Sequence, residues 1–294
     1  MIIVARRLGQ LGNRLILASH LMAAAREYGL GFANPSFVEY AHLFPSTARD
    51  LWCRFPQDTS LSHEPTRRRR ELTAKAVYGI AKGLWTCGLR KHPFRVIRIS
   101  LEQSCDLEGD EFLAAAYGDQ HVLAMGWSFR GPRLVEKHAD AIRQYFQIAE
   151  PHQQAVDSVV NKIRAESDLV VGVHIRHGDY ATFENGIHYY STSQYASMMH
   201  QIVEQLPGKR VAFLVCSNSP FERRAFGNLQ VYSGPGHMVE DMYALAATDC
   251  IIGPPSTYSS WASFYGRKPL AVIRNAEDQM NVAELLELSA RNVA

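Results

Sequence analysis

Short runs of apolar residues alternate with amphipathic stretches along most of the chain. Residues 169–175 (L-V-V-G-V-H-I) form the clearest run, and residues 1–5, 210–216 and 250–252 repeat its aliphatic, often β-branched pattern. Continuous runs of this kind are typical of parallel strands that helices cover on both faces. Between them, apolar residues recur at helical spacing. The chain is therefore predicted to be an α/β protein with mainly parallel sheets.

The first half opens with a predicted strand at 1–5, a glycine-bearing loop at 6–13 and a helix at 15–28. Strand, glycine loop and helix together are the start of a nucleotide-binding type of α/β unit. Residues 32–65 contain prolines and aromatics without a clear period and are expected to form strand fragments and loops. The further expected elements are a helix at 71–84, strands at 95–100 and 121–126, and helices at 132–145 and 151–165.

The second half continues the alternation from the strand at 169–175. The expected elements are a helix at 193–205, strands at 210–216 and 230–233, a helix at 239–247, a strand at 250–252, a helix ending at Tyr265, a strand at 270–273 and a helix at 282–290. A chain of 294 residues is long enough for two domains of ordinary size. We predict a boundary just before the helix that leads into the central strand, giving domains 1–150 and 151–294.

Composition narrows the class of protein. With 47% hydrophobic and 20% charged residues the chain is predicted to be a packed globule, and its net charge of +2 argues against nucleic-acid binding through bulk electrostatics. No run approaches the ~18 apolar residues of a membrane span, and the N-terminus does not resemble a signal peptide, so a cytoplasmic location is expected. The five cysteines include no C-x-x-C pair and predict reduced, mostly buried thiols.

Residues 67–70 are four consecutive arginines that precede the helix expected at 71–84. An exposed, charged helix start is the plainer interpretation of this run. Contact with an acidic or phosphorylated partner, or with a membrane surface, is the alternative.

Polar residues follow three predicted strands in the second half, at 174–180 (H-I-R-H-G-D-Y), 217–219 and 256–261. Because parallel strands place their carboxyl ends on one edge of a sheet, we expect these segments to lie close together. Arg176 offers a cation that fits two phosphate oxygens, and the helix start after Pro255 offers hydroxyls and backbone amides. The combination predicts a site for an anionic ligand.

Each of these residues also has a purely structural interpretation. Ser256 and Thr257 are ordinary N-cap residues, and Asp241 is an acidic residue in the first turn of a helix, where it meets the helix dipole. Asp241 in a site would accept hydrogen bonds from a base or a sugar. The convergence of these residues on one edge favours the functional interpretation.

The same segments resemble the motifs of a known family. Residues 174–180 resemble the H-x-R-R-G-D-Y motif of the α-1,2-fucosyltransferases and are similar to its equivalent in α-1,6- and protein O-fucosyltransferases. Residues 9–15 (G-Q-L-G-N-R-L) resemble the G-G-L-G-N-Q opening, and residues 241–262 resemble the late D-x-x-x-M-S-x-C-x-x-x-I-x-A-N-S-S-F-S-W-W-x-A segment. The three segments occur in the family's order, whereas residues 35–165 match none of its motifs.

The resemblance implies a GT-B fold, in which two Rossmann-like domains face a cleft. The N-terminal domain would lie on the acceptor side, and the C-terminal one would hold GDP-fucose. It implies an inverting glycosyltransferase that moves fucose from GDP-fucose to a glycan hydroxyl, with α-1,2 linkage, in surface polysaccharide or glycan synthesis. No metal and no cofactor beyond the donor substrate are expected. The expected acceptor is a free or lipid-linked oligosaccharide, which is compatible with peripheral membrane contact.

The resemblance also assigns roles to matching positions. Arg176 would be the catalytic residue, because it would hold the β-phosphate and stabilise the charge on departing GDP. The donor-binding residues that the resemblance implies are Gly12, Asn13, His174, Asp179, Asp241, Ser256, Thr257 and Tyr258. No motif supplies a general base, and Glu184 and His188 are candidates only because they follow the motif closely in sequence.

The sequence departs from the family pattern at several positions. His177 replaces the second Arg, Arg14 replaces Gln, Pro255 replaces Asn, and Ala262 follows a single Trp. The first three lie beside the expected donor. A GT-B transferase of another nucleotide sugar, and a relative that binds a nucleotide or glycan without turnover, therefore remain as alternatives.

Overall fold

The computed structural model describes residues 1–88, 92–100 and 102–275, together with residues 277, 281 and 286. The chain divides into two compact units, Met1–Ala149 (unit 1) and Glu150–Ala294 (unit 2). The helix expected at 282–290 lies outside the described residues apart from Leu286.

Unit 1 is built on a five-stranded sheet. Its strands are β1 (Ile2–Val4), β2 (Phe32–Ala33), β3 (Arg54–Phe55), β4 (Phe94–Arg98), β5 (Cys105–Asp106), β6 (His121–Met125) and β7 (Phe129–Arg130). Its helices are α1 (Leu11–Glu27), α2 (Pro45–Ala48), α3 (Arg67–Cys87), α4 (Asp110–Ala116), α5 (Pro132–Lys137) and α6 (Ala139–Tyr145). The main sheet has the order β3-β2-β1-β6-β4, in which β3 alone runs antiparallel to its neighbour, and β5 pairs with β7 separately.

Three helices of unit 1 differ from the sequence expectation. Helix α1 begins at Leu11, four residues early, because Gly9 turns the chain at φ +65° and Gln10 is its N-cap. Helix α3 begins at Arg67, where the Thr66 side chain accepts a hydrogen bond from the Arg69 amide at 3.3 Å. The single helix expected at 132–145 is two helices, α5 and α6, because the backbone leaves helical geometry at His138.

Unit 2 contains five strands and four helices in the described residues. The strands are β8 (Leu169–Ile175), β9 (Val211–Ser217), β10 (Gln230–Ser233), β11 (Cys250–Gly253) and β12 (Leu270–Val272). The helices are α7 (Glu150–Glu166), α8 (Thr192–Glu204), α9 (Met238–Ala246) and α10 (Thr257–Gly266). All five strands are parallel, in the order β10-β9-β8-β11-β12, and every residue of β8 is buried.

The strand order of unit 2 reverses direction at β8. Strands β9 and β10 extend the sheet on one side of β8, and β11 and β12 extend it on the other. The pairing register sets Ile175 at the end of β8 opposite Ser217, and Val173 opposite Ile252 of β11. In open parallel sheets, ligands bind outside the carboxyl ends of the strands at such a reversal.

Two further sequence expectations concern cysteines and membrane segments. All five cysteines are free thiols, of which Cys87 is exposed and the other four are buried. Among the described residues, no helix combines the length and the apolar character that crossing a bilayer requires.

Candidate active site

Arg176 directly follows β8, at the point where the strand order reverses. Its guanidinium donates two hydrogen bonds to the Asp179 carboxylate, from Nε at 3.1 Å and from Nη2 at 2.8 Å, and a third from Nη1 to Ser256 Oγ at 3.3 Å. The Tyr180 ring lies against the guanidinium, 4.7 Å from Cζ. Hydrogen bonding from Arg176 lowers the pKa of Asp179, so both partners stay charged at neutral pH. The cation is thus held in one orientation before any ligand binds.

Tyr180 connects the loop after β8 to the turn after β11. It is buried in a short 3₁₀ turn, Asp179–Ala181, and its hydroxyl donates to the Pro255 carbonyl oxygen at 2.5 Å. On the other side, the backbone N–H of His177 donates to Asn218 Oδ1 at 3.0 Å, and that of Gly178 donates to Ser219 Oγ at 3.3 Å. Three neighbouring strand ends are therefore fastened together around Arg176.

The N-terminus of α10 lies beside the guanidinium. Ser256 caps this helix by accepting the Tyr258 amide at 3.3 Å, while its hydroxyl also contacts Arg176. Thr257 is the first helical residue. The ten-residue helix directs the positive end of its dipole and its first backbone amides toward this point. A guanidinium beside such amides suits a phosphate group.

His174 supports the site from beneath and is 5% exposed. Its ring lies 4.9 Å from the Tyr258 ring, and Nδ1 is 3.4 Å from Ser259 Oγ. Burial, with the positive charge of Arg176, lowers the pKa of His174 to about 3. A neutral imidazole at physiological pH positions Tyr258 and the helix start, and it does not exchange protons there.

Asp241 lies in the first turn of α9 and is 8% exposed. Its Oδ1 accepts the Gly236 amide at 2.8 Å, and within the described part of the chain Oδ2 has no hydrogen-bond partner. Burial raises the pKa of Asp241 to about 6. A Cβ on Gly234 would stand 2.4 Å from Oδ1, so glycine is required there. The carboxylate has one oxygen fixed by the backbone and one available to a ligand.

Tyr258 links the two halves of the site. Its hydroxyl donates to the Met238 carbonyl oxygen at 2.6 Å, at the start of the helix that carries Asp241. Burial of the hydroxyl, together with the Cys216 and Asp241 groups, raises the pKa of Tyr258 well above its ordinary value. The structure thus brings Arg176, His174, Asp179, Asp241, Ser256, Thr257 and Tyr258 together within unit 2.

The two candidates for a base lie in the loop after Tyr180. Glu184 belongs to a 3₁₀ turn, Phe183–Gly186, and only its backbone is described. The His188 ring centroid is 6.4 Å from that of Tyr180. The guanidinium of Arg176 also lies against the Tyr180 ring. His177, in contrast, bonds to the Tyr190 carbonyl oxygen at 2.8 Å and lies on the Tyr189 ring, so it holds this loop.

Gly12 and Asn13 lie in unit 1, in the first turn of α1. Gly12 is buried, and Asn13 packs so closely on Gly9 that a Cβ there would meet Nδ2 at 2.5 Å. Asn13 lies inside α1 rather than at its start, because the N-cap is Gln10. The neighbouring Arg14 is nearly buried and donates to the Gly9 carbonyl oxygen at 3.1 Å and to Glu39 at 2.5 Å.

The sequence did not indicate several charged residues that the structure brings together at the end of β1. Glu39 also receives Arg7 at 2.7 Å, and Arg7 contacts Glu71 at 3.0 Å, which makes a charged network at the end of β1. A cavity of about 230 Å³ lies beside this network. Its lining residues are Arg6, Arg7, Ser36, Glu71, Ala74, Lys75 and Tyr78. Two consecutive arginines, Arg6 and Arg7, after the first strand could have indicated this network, whereas nothing in the sequence indicated Glu39.

One group of side chains in the described residues has the composition of a metal site. The ligand atoms of His152, His237 and Glu240 lie within 4.8 Å of one another. However, His152 Nδ1 is 2.7 Å from Glu240, the two imidazole rings are stacked, and His237 Nδ1 accepts the Val239 amide at 3.3 Å. A proton then remains on His237 Nε2. These contacts describe a helix cap and a hydrogen-bonded His–Glu pair rather than three converging ligands.

The two units have Rossmann-like α/β architecture, and comparison with solved structures narrows the fold further. The chain is similar to a mutant of FUT1 from Arabidopsis thaliana in complex with GDP, with a TM-score of 0.57 and 12% identity over 97% of this chain and 73% of that chain. It is also similar to the α-1,6-fucosyltransferase NodZ soaked with GDP-fucose (TM-score 0.51, 14% identity, 90% of this chain and 92% of that chain). NodZ from Bradyrhizobium gives a TM-score of 0.50 and 13% identity over 89% of this chain and 91% of that chain.

These similarities show the fold, and they confirm the predicted GT-B architecture with mainly parallel sheets. No protein-family model matches the chain, and no curated protein matches its sequence.

Proposed function

We propose that this chain is an inverting glycosyltransferase that moves fucose from GDP-fucose to a hydroxyl of a glycan acceptor. The observation that carries the proposal is the fixed guanidinium of Arg176 beside the N-terminus of α10, at the reversal of the unit 2 sheet. The solved structures of similar fold that contain GDP or GDP-fucose support this donor. The resemblance to the α-1,2 family makes that linkage the first to test.

In the proposed reaction the acceptor oxygen bonds to the anomeric carbon of fucose as the bond from that carbon to the β-phosphate oxygen breaks. The acceptor loses its proton to a base, and GDP leaves with the bonding electrons. Negative charge then develops on the β-phosphate, and Arg176, Ser256 and the amides after Thr257 would stabilise this charge. Removing one preorganised donor of this kind costs about 10²–10³-fold in rate.

Asp241 would recognise the guanine base. Guanine presents two adjacent N–H groups, whereas uracil presents one and adenine pairs its amino group with an acceptor. Asp241 Oδ2, which has no hydrogen bond in the described structure, would accept from that guanine edge. His174 would keep the Tyr258 ring in place beside the base. Asp179 would act through Arg176 by fixing the orientation of its guanidinium.

His188 is the base candidate whose ring lies beside Tyr180, and Tyr180 in turn contacts Arg176. We propose that the loop containing Glu184 and His188 borders the reacting hydroxyl. Unit 1 would bind the acceptor, with Gly12 and Asn13 approaching the sugar-phosphate and the cavity beside Tyr78 receiving a sugar. We propose that the reaction uses neither a cofactor nor a metal and that it takes place in the cytoplasm.

Titration calorimetry with GDP, GDP-fucose, GDP-mannose and UDP-sugars, followed by transfer assays on a glycan panel, tests the proposal. We expect GDP and GDP-fucose to bind and only the fucosyl donor to be turned over. Absence of GDP binding would show that the donor is wrong. Turnover of another sugar nucleotide would replace the donor, and binding without turnover on any acceptor would indicate a non-catalytic protein.

Arg176→Ala is the decisive variant. We expect transfer to fall by about 10²–10³-fold or more while the thermal unfolding temperature stays close to that of the parent chain. Arg210→Ala is the matched control, because Arg210 forms the same two-bond pair with Asp168 at the opposite, amino end of the sheet. Near-parental turnover in Arg176→Ala, or an equal loss in the control, would overturn the assigned role.

A further inference from the structure

Helix α3 is fastened to unit 1 by one arginine and a row of small side chains. Arg70 is 5% exposed, and its guanidinium donates to the carbonyl oxygens of Thr47 at 3.1 Å, Ala48 at 2.5 Å and Asp50 at 2.8 Å. The other buried residues of the helix are Ala74, Val77 and Ala81. The fully buried part of this contact thus uses the smaller apolar residues of the helix, and the partly buried Leu84 adds to it.

Several larger apolar side chains of α3 are exposed, whereas Leu84 is partly buried against the core of unit 1. Leu72 is 57% exposed, Ile80 is 51% exposed and Trp85 is 47% exposed. Leu72 and Ile80 are eight residues apart with Ala76 between them, so the three lie along one line of the outer surface. A helix that only covered its own unit would reverse this arrangement, with the large apolar residues inward.

The same outer surface carries positive charge that the described part of the protein does not compensate. Its exposed cations are Arg67, Arg68, Arg69, Lys75 and Lys82, and none forms an ion pair with a described residue. The one acidic residue of the helix, Glu71, is bonded to Arg7 at 3.0 Å. Helix α3 therefore presents apolar side chains flanked by free cations.

We propose that α3 docks this protein on the surface of an anionic lipid bilayer. Leu72 and Ile80 would enter the boundary between headgroups and acyl chains, and the cations would contact lipid phosphates. An acidic protein surface would match the cations but would place Leu72 and Ile80 against charged groups. An anionic bilayer matches both the cations and the exposed apolar side chains. The proposal does not depend on the transfer reaction.

Vesicle flotation with the full chain tests the docking. Vesicles of phosphatidylcholine with a quarter phosphatidylglycerol should bind the protein, vesicles of phosphatidylcholine alone should bind it much less, and high salt should release it. Arg68→Glu with Lys82→Glu should lower the partition coefficient by about 30-fold or more, since each cation near such a surface contributes about fivefold. Lys162→Glu with Lys209→Glu makes the same change in charge on unit 2 and should have little effect.

The apolar half needs its own test, because charge alone also attracts proteins to anionic vesicles. Leu72→Ser with Ile80→Ser preserves charge and should weaken binding by about tenfold or more, whereas Tyr117→Ser at the exposed C-cap of α4 should not. Unchanged binding after the serine substitutions, or equal effects of the two charge-reversal pairs, would overturn the proposal. GDP titration and thermal unfolding verify that each variant is folded.

Discussion

Asp241 and His174 are two buried titratable groups of unit 2 whose pKa values shift for the same reason. Burial disfavours the charged form, so it raises the pKa of Asp241 to about 6 and lowers the pKa of His174 to about 3. Acidification from pH 6.5 destabilises the fold through His174, because the unfolded chain binds that proton first. Acidification from pH 6 stabilises it through Asp241, because the folded chain binds that proton first.

Asp241→Asn isolates the carboxyl contribution. The pKa of about 6 lies above the ~3.9 of an unfolded aspartate, so above pH 6 the buried charge lowers the free energy of unfolding by about 3 kcal/mol. The variant should therefore be more stable than the parent by about 1–3 kcal/mol at pH 8, with no difference near pH 4. Urea unfolding at the two pH values measures this.

The same variant should bind GDP about 10–100-fold more weakly at pH 8, because it loses a charged acceptor. Asp179→Asn is the control, because its effect on the free energy of unfolding should have the opposite sign. Hydrogen bonding from Arg176 lowers the pKa of Asp179, so its charge stabilises the fold at pH 8 and the variant should be less stable there. A stability gain in Asp241→Asn that is the same at both pH values would show that titration is not its cause.

Single residues were predictable where they stood at a strand end and unpredictable where a distant chain segment supplied the contact. Arg176 was recognisable from its position after a buried strand. Its partner Ser256, 80 residues away, was predicted only as a neighbour on the same edge. Glu39 could not have been found, because its role depends on Arg7 and Arg14 reaching it from another element.

At the scale of elements, residues 67–70 show how a uniform run can hide different roles. All four are arginines, and the sequence alone gives no reason to separate them. In the structure they begin α3, whose first turns direct Arg70 inward to the carbonyl end of α2 while the other three remain exposed. The buried arginine fixes the helix, and the exposed ones define its outer charge.

Arg70→Ala should lower the free energy of unfolding by about 3 kcal/mol or more. It removes charged donors from three buried carbonyl oxygens, of which those of Thr47 and Asp50 keep one backbone N–H donor each, and it leaves a cavity. Arg69→Ala removes the same side chain from the next, exposed position and should change the value by less than about 0.5 kcal/mol. Chemical unfolding of the two variants, followed by circular dichroism, makes the comparison. Equal losses at the two positions would contradict the structural assignment.

Strands β8, β9 and β11 were predicted well because each is a continuous apolar run bounded by polar residues, which leaves few alternatives. Helix ends were less predictable. The early start of α1 depends on Gly9 adopting positive φ, and the break between α5 and α6 depends on His138, whose ring is 2.7 Å from Glu27 of α1. Both features are decided by backbone conformation or tertiary contact, which periodicity does not record.

At the scale of the whole molecule, the two proposed interactions belong to different units. The residues proposed to hold GDP are mostly in unit 2, and the outer surface of α3 is in unit 1. Each unit has its own sheet and its own buried residues. A ligand that binds one unit should therefore stabilise that unit first, which makes the two interactions separable in a single experiment on the intact chain.

Hydrogen–deuterium exchange measures the stability of both units at once. At a GDP concentration of 100 times Kd, the bound unit gains about 2.7 kcal/mol, so amides that exchange through its unfolding should slow by about 100-fold. The strongest protection is expected at residues 176–181, 234–241 and 256–260, where the Gly178, Gly236 and Tyr258 amides already support the site. Anionic vesicles should instead protect α3 and leave those segments unchanged. If GDP slowed amide exchange in α3 as much as in unit 2, the two units would respond together, and the experiment would not support assigning the nucleotide to unit 2. Protection confined to unit 1 would contradict that assignment.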